Sequence, residues 1–408
     1  MMTMIKKEPP GIKDFFIFMC MERAFQPVTL GPLTLKNRFI KSATYEGFFD
    51  EGMPTQGLTD HHVALARGGT GMTTVSYGAV SPEGRTFHNQ MYIHEGTLPA
   101  LAGVAEAVHR AGGKISMQLT HCGFFSKNKE AVRPLGPSRL LNQYGLLNGL
   151  PFSKEMDRDD MERTAGHFAL AAEHLAEAGY DAVEVHMGHG YLLSQFLSPA
   201  TNRRKDEYGG PIANRARFPL EVFRRVKERV GHRLAVLVKL NMSDGFRSGL
   251  TVEESSYVAQ ELERLGADAL VLTGGFTSKT PFYLMRGEVP LKGMIQNGEN
   301  AAEKITMALF GPLVVKKYPF TPLFFLDQAL QIRRSVKMPL AYLGGVDGRE
   351  DISRLMDAGF DLIALARPLI HDPQFLQKLQ NGEIDRTACD RCNECVVEMD
   401  RGGVRCVK

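Results

Sequence analysis

The chain has 408 residues, 43% of them apolar, and sets 49 Lys plus Arg against 46 Asp plus Glu, a formal net charge of +3. That length allows one large barrel or two ordinary domains, and the near-balance of charge gives no reason to expect a nucleic-acid or anionic membrane partner. No window approaches the ~20 consecutive apolar residues of a membrane span, and the 6 cysteines are not spread as a disulfide framework, so a soluble, cytoplasmic protein is expected.

Residues 1–20 hold Lys6, Lys7 and a short apolar run, but lack the full apolar core and small-residue cleavage site of a signal peptide. They read as a disordered extension or a start-site artefact. From Met21 the sequence alternates β-branched apolar runs with amphipathic stretches. Strands are expected over 37–44, 72–77, 114–119, 182–185, 234–240, 269–272, 339–343 and 362–365. The helices that follow them are expected over 58–67, 98–111, 159–178, 212–229, 252–265, 323–335, 349–358 and 368–379. Eight strand–helix units in a row define an α/β fold of the TIM (β/α)8 barrel type over 21–386, with a Cys-rich segment over 387–408. A doubly wound open sheet would place a Gly-rich dinucleotide fingerprint after an early strand, and none follows the first or second. A long insertion over 274–322 carries FYLMRG, MIQNGEN and VKKYPF, and reads as part of a roof over the active site. Arg203, Arg204 and Lys205 form the densest basic run, a solvated loop by default and a phosphate contact as the alternative.

The most informative stretch is 181–210, DAVEVHMGHGYLLSQFLSPATNRRKDEYGG. Its buried strand delivers His186, His189 and Tyr191 to one strand end, where parallel barrels keep their chemistry. A lone histidine there would read as a satisfied core residue; a pair beside a tyrosine favours function. Two imidazole N–H donors can hold a carbonyl oxygen and the charge that develops on it, whereas metal binding needs a third ligand that is not evident nearby. Tyr191 is the expected proton donor, its alternative being a ring packed under the loop. Lys239 is a charge in an otherwise apolar strand and requires a buried partner, for which Glu184 is the candidate. Gly344 and Gly345 after the seventh strand, with Ala366 and Arg367 before Pro368 after the eighth, suit backbone and helix-terminus contacts to a phosphate.

The run HMGHGYLLSQFLSPATNRRKDEYGGPIANRARF resembles the segment that marks the old yellow enzyme family of flavin-dependent ene reductases, and the likeness extends from Phe25 to about Cys406. The resemblance implies a bound FMN, reduced by NADH or NADPH as a transient reductant and reoxidised by an electron-poor alkene such as an α,β-unsaturated carbonyl. It implies that Gln118 binds the flavin and that Lys239 sits at its pyrimidine edge. It also places Gly78, Ala43 and Thr44 along the ring, where small residues leave room for a flat cofactor.

Cys389, Cys392, Cys395 and Cys406 lie in CDRCNECVVEMDRGGVRC. In multidomain members resembling 2,4-dienoyl-CoA reductase, four cysteines at the matching place ligate an iron–sulfur cluster fed by a second domain. Here two of the gaps are each one residue shorter and, from the sequence to Lys408, no second domain is expected, so a cluster, a structural zinc and free thiols all stay open. Two rivals to the flavin reading are a barrel that uses the histidines for metal-assisted hydrolysis and a non-catalytic barrel. The physiological substrate, the choice of NADH or NADPH and any homo-oligomer are left open.

Overall fold

The computed structural model describes residues 19–298 and 300–408. Of the expected extension over 1–20, all but Met19 and Cys20 lie outside the described residues; these two open a short helix that buries Met21 and Ala24.

The core is a closed barrel of eight parallel strands. In chain order these are β1 Phe39–Lys41, β2 Met72–Ala79, β3 Lys114–Thr120, β4 Ala182–Met187, β5 Ala235–Asn241, β6 Ala269–Thr273, β7 Leu340–Leu343 and β8 Leu362–Leu365. The helices packed outside are α1 Gln56–Arg67, α2 Leu98–Arg110, α3 Arg158–Glu177, α4 Arg217–Val230, α5 Val252–Arg264, α6 Leu326–Ser335, α7 Arg349–Asp357 and α8 Phe375–Gln380. Every expected strand is present. The stretch over 212–229 divides into Ile212–Arg215 and α4, and that over 368–379 divides into Arg367–His371 and α8, with Pro373 in the gap.

Strand alternation sorts the side chains into two shells. Val183, Val185 and Met187 of β4 point outward to the core shared with the helices. Ala182, Ala235, Leu237, Ala269 and Val271 fill the barrel interior together with Leu30, Leu33 and Leu35. The last three belong to an antiparallel hairpin, Val28–Leu30 with Leu33–Leu35, that closes the end of the barrel remote from the site. Toward the other end the inward positions turn polar, through Gln118, Glu184, His186, Lys239, Asn241 and Thr273, all buried.

The insertion after β6 is structured, with helices Leu291–Gln296 and Ala301–Val314. Arg204 of the basic run is a structural clamp: its guanidinium donates to the carbonyls of Pro137 at 3.2 Å and Met156 at 2.8 Å and pairs with Asp206. The Cys-rich tail folds back on the loop after β1, where the Val404 N–H donates to the Glu46 carbonyl at 2.6 Å.

Candidate active site

The polar end of the barrel opens into a cavity of about 290 Å3, near the lower limit of ~300–1,000 Å3 typical of small-molecule sites. Ala43, Thr44, Gln118, His186, His189, Tyr191, Gly344, Gly345, Ala366 and Arg367 all line it. Residues from five strand ends thus meet at one place, as the barrel geometry requires.

His186 ends the inward face of β4 and lies opposite Lys239 in the register of β5. Its ring centroid is 5.0 Å from that of His189 and 4.8 Å from that of Tyr191. His189 adopts φ +57°, the left-handed region, and is held there by two contacts. Its backbone N–H donates to Asn241 Oδ1 at 3.0 Å, and its Nε2 lies 2.7 Å from the Thr273 hydroxyl. Nδ1 of His186 is buried without a protein partner. Burial, reinforced by His189 and the Lys239 ammonium, holds His186 well below the usual imidazole range; burial and Lys239 lower His189 to about 3. Both rings are therefore neutral at physiological pH, each with one N–H to donate. Burial also raises Tyr191 well above the ordinary phenol value, and its hydroxyl is hydrogen-bonded to Tyr77.

Beneath the cavity lies a buried polar chain. Gln118 Nε2 donates to Glu184 Oε1 at 2.7 Å, Lys239 Nζ pairs with the same oxygen at 2.9 Å, and Nζ also donates to Ser42 Oγ at 3.1 Å. Lys239 does not line the cavity itself; it hydrogen-bonds Ser42, which does. The expected Glu184 partnership is present, so the buried ammonium is compensated.

Gly344 and Gly345 follow β7 with φ of +141° and +75°. A Cβ on Gly344 would lie 2.8 Å from the Phe325 ring, and one on Gly345 2.7 Å from the Phe324 ring. Only glycine lets the backbone pack this closely on the two rings. The small cradle, the polar floor and the unpartnered His186 Nδ1 together fit a flat, polar-edged cofactor such as FMN. Gln118, Ala43, Thr44, Gly344, Gly345, Ala366 and Arg367 would hold it. One Arg367 nitrogen, Nη1, is engaged by the Arg286 carbonyl at 2.7 Å and by Asn393 Oδ1 at 2.9 Å.

Gly78 falls elsewhere. The β2–β3 register shifts between Val75 and Gly78, and this irregularity turns Ser76 and Tyr77 to the cavity. A Cβ at Gly78 would instead meet Ile93 and the Met117 sulfur, 2.7 and 2.9 Å away. Sequence reasoning also missed Tyr45, Phe276, Met285, Phe320 and Phe324, which complete the walls. It missed Glu46 as well, a fully buried carboxylate paired with Lys41 that accepts from the Ser76 N–H at 2.9 Å; burial pushes it up to about 7.

Cys389 and Cys395 line the same cavity. All four tail cysteines surround a smaller one of about 20 Å3, with Arg367 and His371, which is room for about one water. Among the described residues no three His, Cys, Asp or Glu side chains form a metal-ligating group. Burial raises the thiols of Cys389, Cys392 and Cys395, the last to about 12. Nothing among the described residues supports the iron–sulfur cluster or the zinc, two of the three states left open for these cysteines. No helix among the described residues is long and apolar enough to cross a membrane.

Comparison with known proteins matches residues 23–275 to the model of the NADH:flavin oxidoreductase / NADH oxidase family. The chain is 40% identical over 387 residues to 4,4'-dithiodibutanoate disulfide reductase of Rhodococcus erythropolis, covering 94% of each. It is 29% identical to NADH oxidase of Thermoanaerobacter brockii, covering 90% of this chain and 52% of that one, so it spans about half of that relative's length. Its structure superposes on that of morphinone reductase in complex with tetrahydroNAD with a TM-score of 0.67 at 26% identity, covering 90% of this chain and 92% of the other. With a matched segment that carries the histidine pair and a barrel shared with old yellow enzymes, the chain belongs to the NADH:flavin oxidoreductase family and is an NAD(P)H-dependent flavin oxidoreductase that uses FMN.

Proposed function

We propose that the protein reduces the C=C bond of a small, electron-poor alkene, an α,β-unsaturated carbonyl compound. The observation that carries this reading is the pair of neutral imidazoles, one with a buried and unpartnered nitrogen, set beside Tyr191 in one cavity. FMN, when bound, supplies the hydride that NADH or NADPH provides. His186 and His189 hold the carbonyl oxygen and stabilise the negative charge that grows on it; in this reading the Thr273 hydroxyl donates to Nε2 of His189 and keeps its proton on Nδ1. Each such donor contributes on the order of 10²–10³ in rate. Tyr191, kept protonated by its raised pKa, gives its proton to the carbon next to the carbonyl. Phe276 and Phe324 in the walls exclude water from the reacting carbons.

A second reading is favoured by the Rhodococcus relative, whose likeness runs over nearly the whole of both chains. In it the electron acceptor is a small disulfide: one disulfide, two electrons and two protons give two thiols.

One experiment separates the two. The visible spectrum of the purified protein is followed anaerobically through addition of NADH or NADPH, then of 2-cyclohexenone or 4,4'-dithiodibutanoate. A flavin band that bleaches with nicotinamide and returns with the enone supports alkene reduction, and return only with the disulfide replaces it by the second reading. His186→Ala with His189→Ala should cripple the enone step and leave flavin bound. Loss of flavin in that variant would overturn the role given to the histidines.

A further inference from the structure

Within the insertion after β6, the helix Ala301–Val314 turns its apolar side to solvent. Its inner side rests on the helix Leu291–Gln296: a Cβ at Gly311, the buried residue of this helix, would meet Leu291 Cδ1 at 2.8 Å and the Met307 sulfur at 3.0 Å. Ile305, Leu309 and Leu313 recur every four residues and so form one line, on the side opposite Met307. They are 60%, 65% and 83% exposed, and Phe310 and Val314 beside them are 56% and 69% exposed. A helix covering a core in water has the reverse polarity.

Its surroundings are basic. Over 288–317, Lys292, Lys304, Lys316 and Lys317 stand against Glu288, Glu299 and Glu303, a local charge of 4 − 3 = +1. Lys317 is paired with Glu288 at 2.5 Å, which leaves Lys292, Lys304 and Lys316 as the cations for a lipid phosphate. Lys316 Nζ sits 5.1 Å from the centre of the Tyr318 ring. The helix pair is fixed to the tail: Asn297 Nδ2 donates to the Val397 carbonyl at 2.7 Å, and Arg401 donates to Asn297 Oδ1 at 2.7 Å and to Gln296 Oε1 at 2.8 Å. Beyond Tyr318 the same segment reaches Phe320 and Phe324 in the cavity wall.

We propose that Ala301–Val314 is a membrane-surface anchor, lying in the headgroup layer of an anionic bilayer with Ile305, Leu309 and Leu313 among the acyl chains and the lysines at the phosphates. At 14 residues the helix is about 21 Å long, short of the ~30 Å hydrocarbon thickness, so it lies on the bilayer and does not cross it. The near-zero net charge of the whole chain does not bear on this, because the cations that matter are local. The same cations argue against a second copy as the occupant, since pairing the two helices would crowd like charges that lipid phosphates would neutralise.

The test is co-sedimentation of the full-length protein with phosphatidylcholine vesicles, pure or with about one third phosphatidylglycerol. The protein should pellet with the anionic vesicles, less with the neutral ones, and less as salt is raised. The double variant Leu309→Glu, Leu313→Glu should lower the bound fraction by roughly tenfold or more. Both side chains are exposed and outside the cavity, so its thermal midpoint and its flavin reduction in lipid-free buffer should match the parent. Failure of the parent to pellet with either vesicle overturns the proposal, as does equal binding by the variant. A dimer in sedimentation velocity that the variant dissociates would assign the helix to contact between copies and would likewise overturn it.

Discussion

Lys239→Met tests the polar floor of the cavity. The ammonium and the Glu184 carboxylate are 2.9 Å apart, with side chains 0% and 3% exposed, so solvent cannot take over for a missing partner. Removing the cation strands a buried carboxylate, at a cost of about 3–5 kcal/mol. Adding Glu184→Gln removes the stranded charge while keeping an oxygen for Gln118 Nε2, which bonds Glu184 Oε1 at 2.7 Å. Most of the lost stability should return in the double variant. Affinity for FMN should not return, because Lys239 itself, with its link to Ser42, would still be absent. Chemical unfolding of flavin-free protein followed by circular dichroism reads the first quantity, and recovery of flavin fluorescence on dilution reads the second. A single variant as stable as the parent, or a double variant no more stable than the single, would refute the argument.

Tyr191→Phe should slow reoxidation by enone about 10²–10⁴-fold while leaving reduction by NADPH unchanged; stopped-flow spectra report the two steps separately. Gly345→Ala places a methyl where the chain has φ +75° and the Phe324 ring is 2.7 Å away, so it should lower flavin content of the purified protein. Acid should destabilise the fold through its buried imidazoles. His189 and His61 are each lowered by burial from 6.5 to about 3, so the unfolded chain binds protons that the native state refuses. Their contribution is full above about pH 6.5 and is lost progressively as pH falls toward 3. Urea midpoints measured across that window should fall, and midpoints that stay flat would show these rings to be protonated in the native state.

The barrel was legible because parallel strands buried on both faces read as unbroken apolar runs, as in the VLV and LVL stretches of β5 and β6. His186 and Lys239 stood out for the same reason, as polar residues where the run predicts none. The walls were not legible. Tyr45, Phe276 and Phe324 come from loops far apart in the chain, and nothing in their local sequence says which way an aromatic ring will face. Gly78 shows the limit most directly: alternation along β2 predicts its direction only if the pairing is regular, and the register shift after Val75 breaks that count. The apolar helix Ala301–Val314 was equally hidden, since apolar residues at helical spacing look the same whether their stripe faces the core or the solvent.

The tail that closes the site also sets an order of events. Thr387, Cys389, Arg391, Cys395, Val396 and Met399 form one wall of the cavity, and the Val404 N–H is tied to the Glu46 carbonyl beside the first barrel strand. A chain emerging from the ribosome can lay down seven strands and still have no closed pocket. Once the eighth strand pairs with the first, joining Leu365 to Lys41, the contact between residues 46 and 404 closes only the last few tens of residues, so it adds little further loop-closure entropy. A chain shortened by a few tens of residues should therefore keep its barrel yet leave the pocket open along one side, where Cys389, Arg391, Cys395 and Met399 now stand.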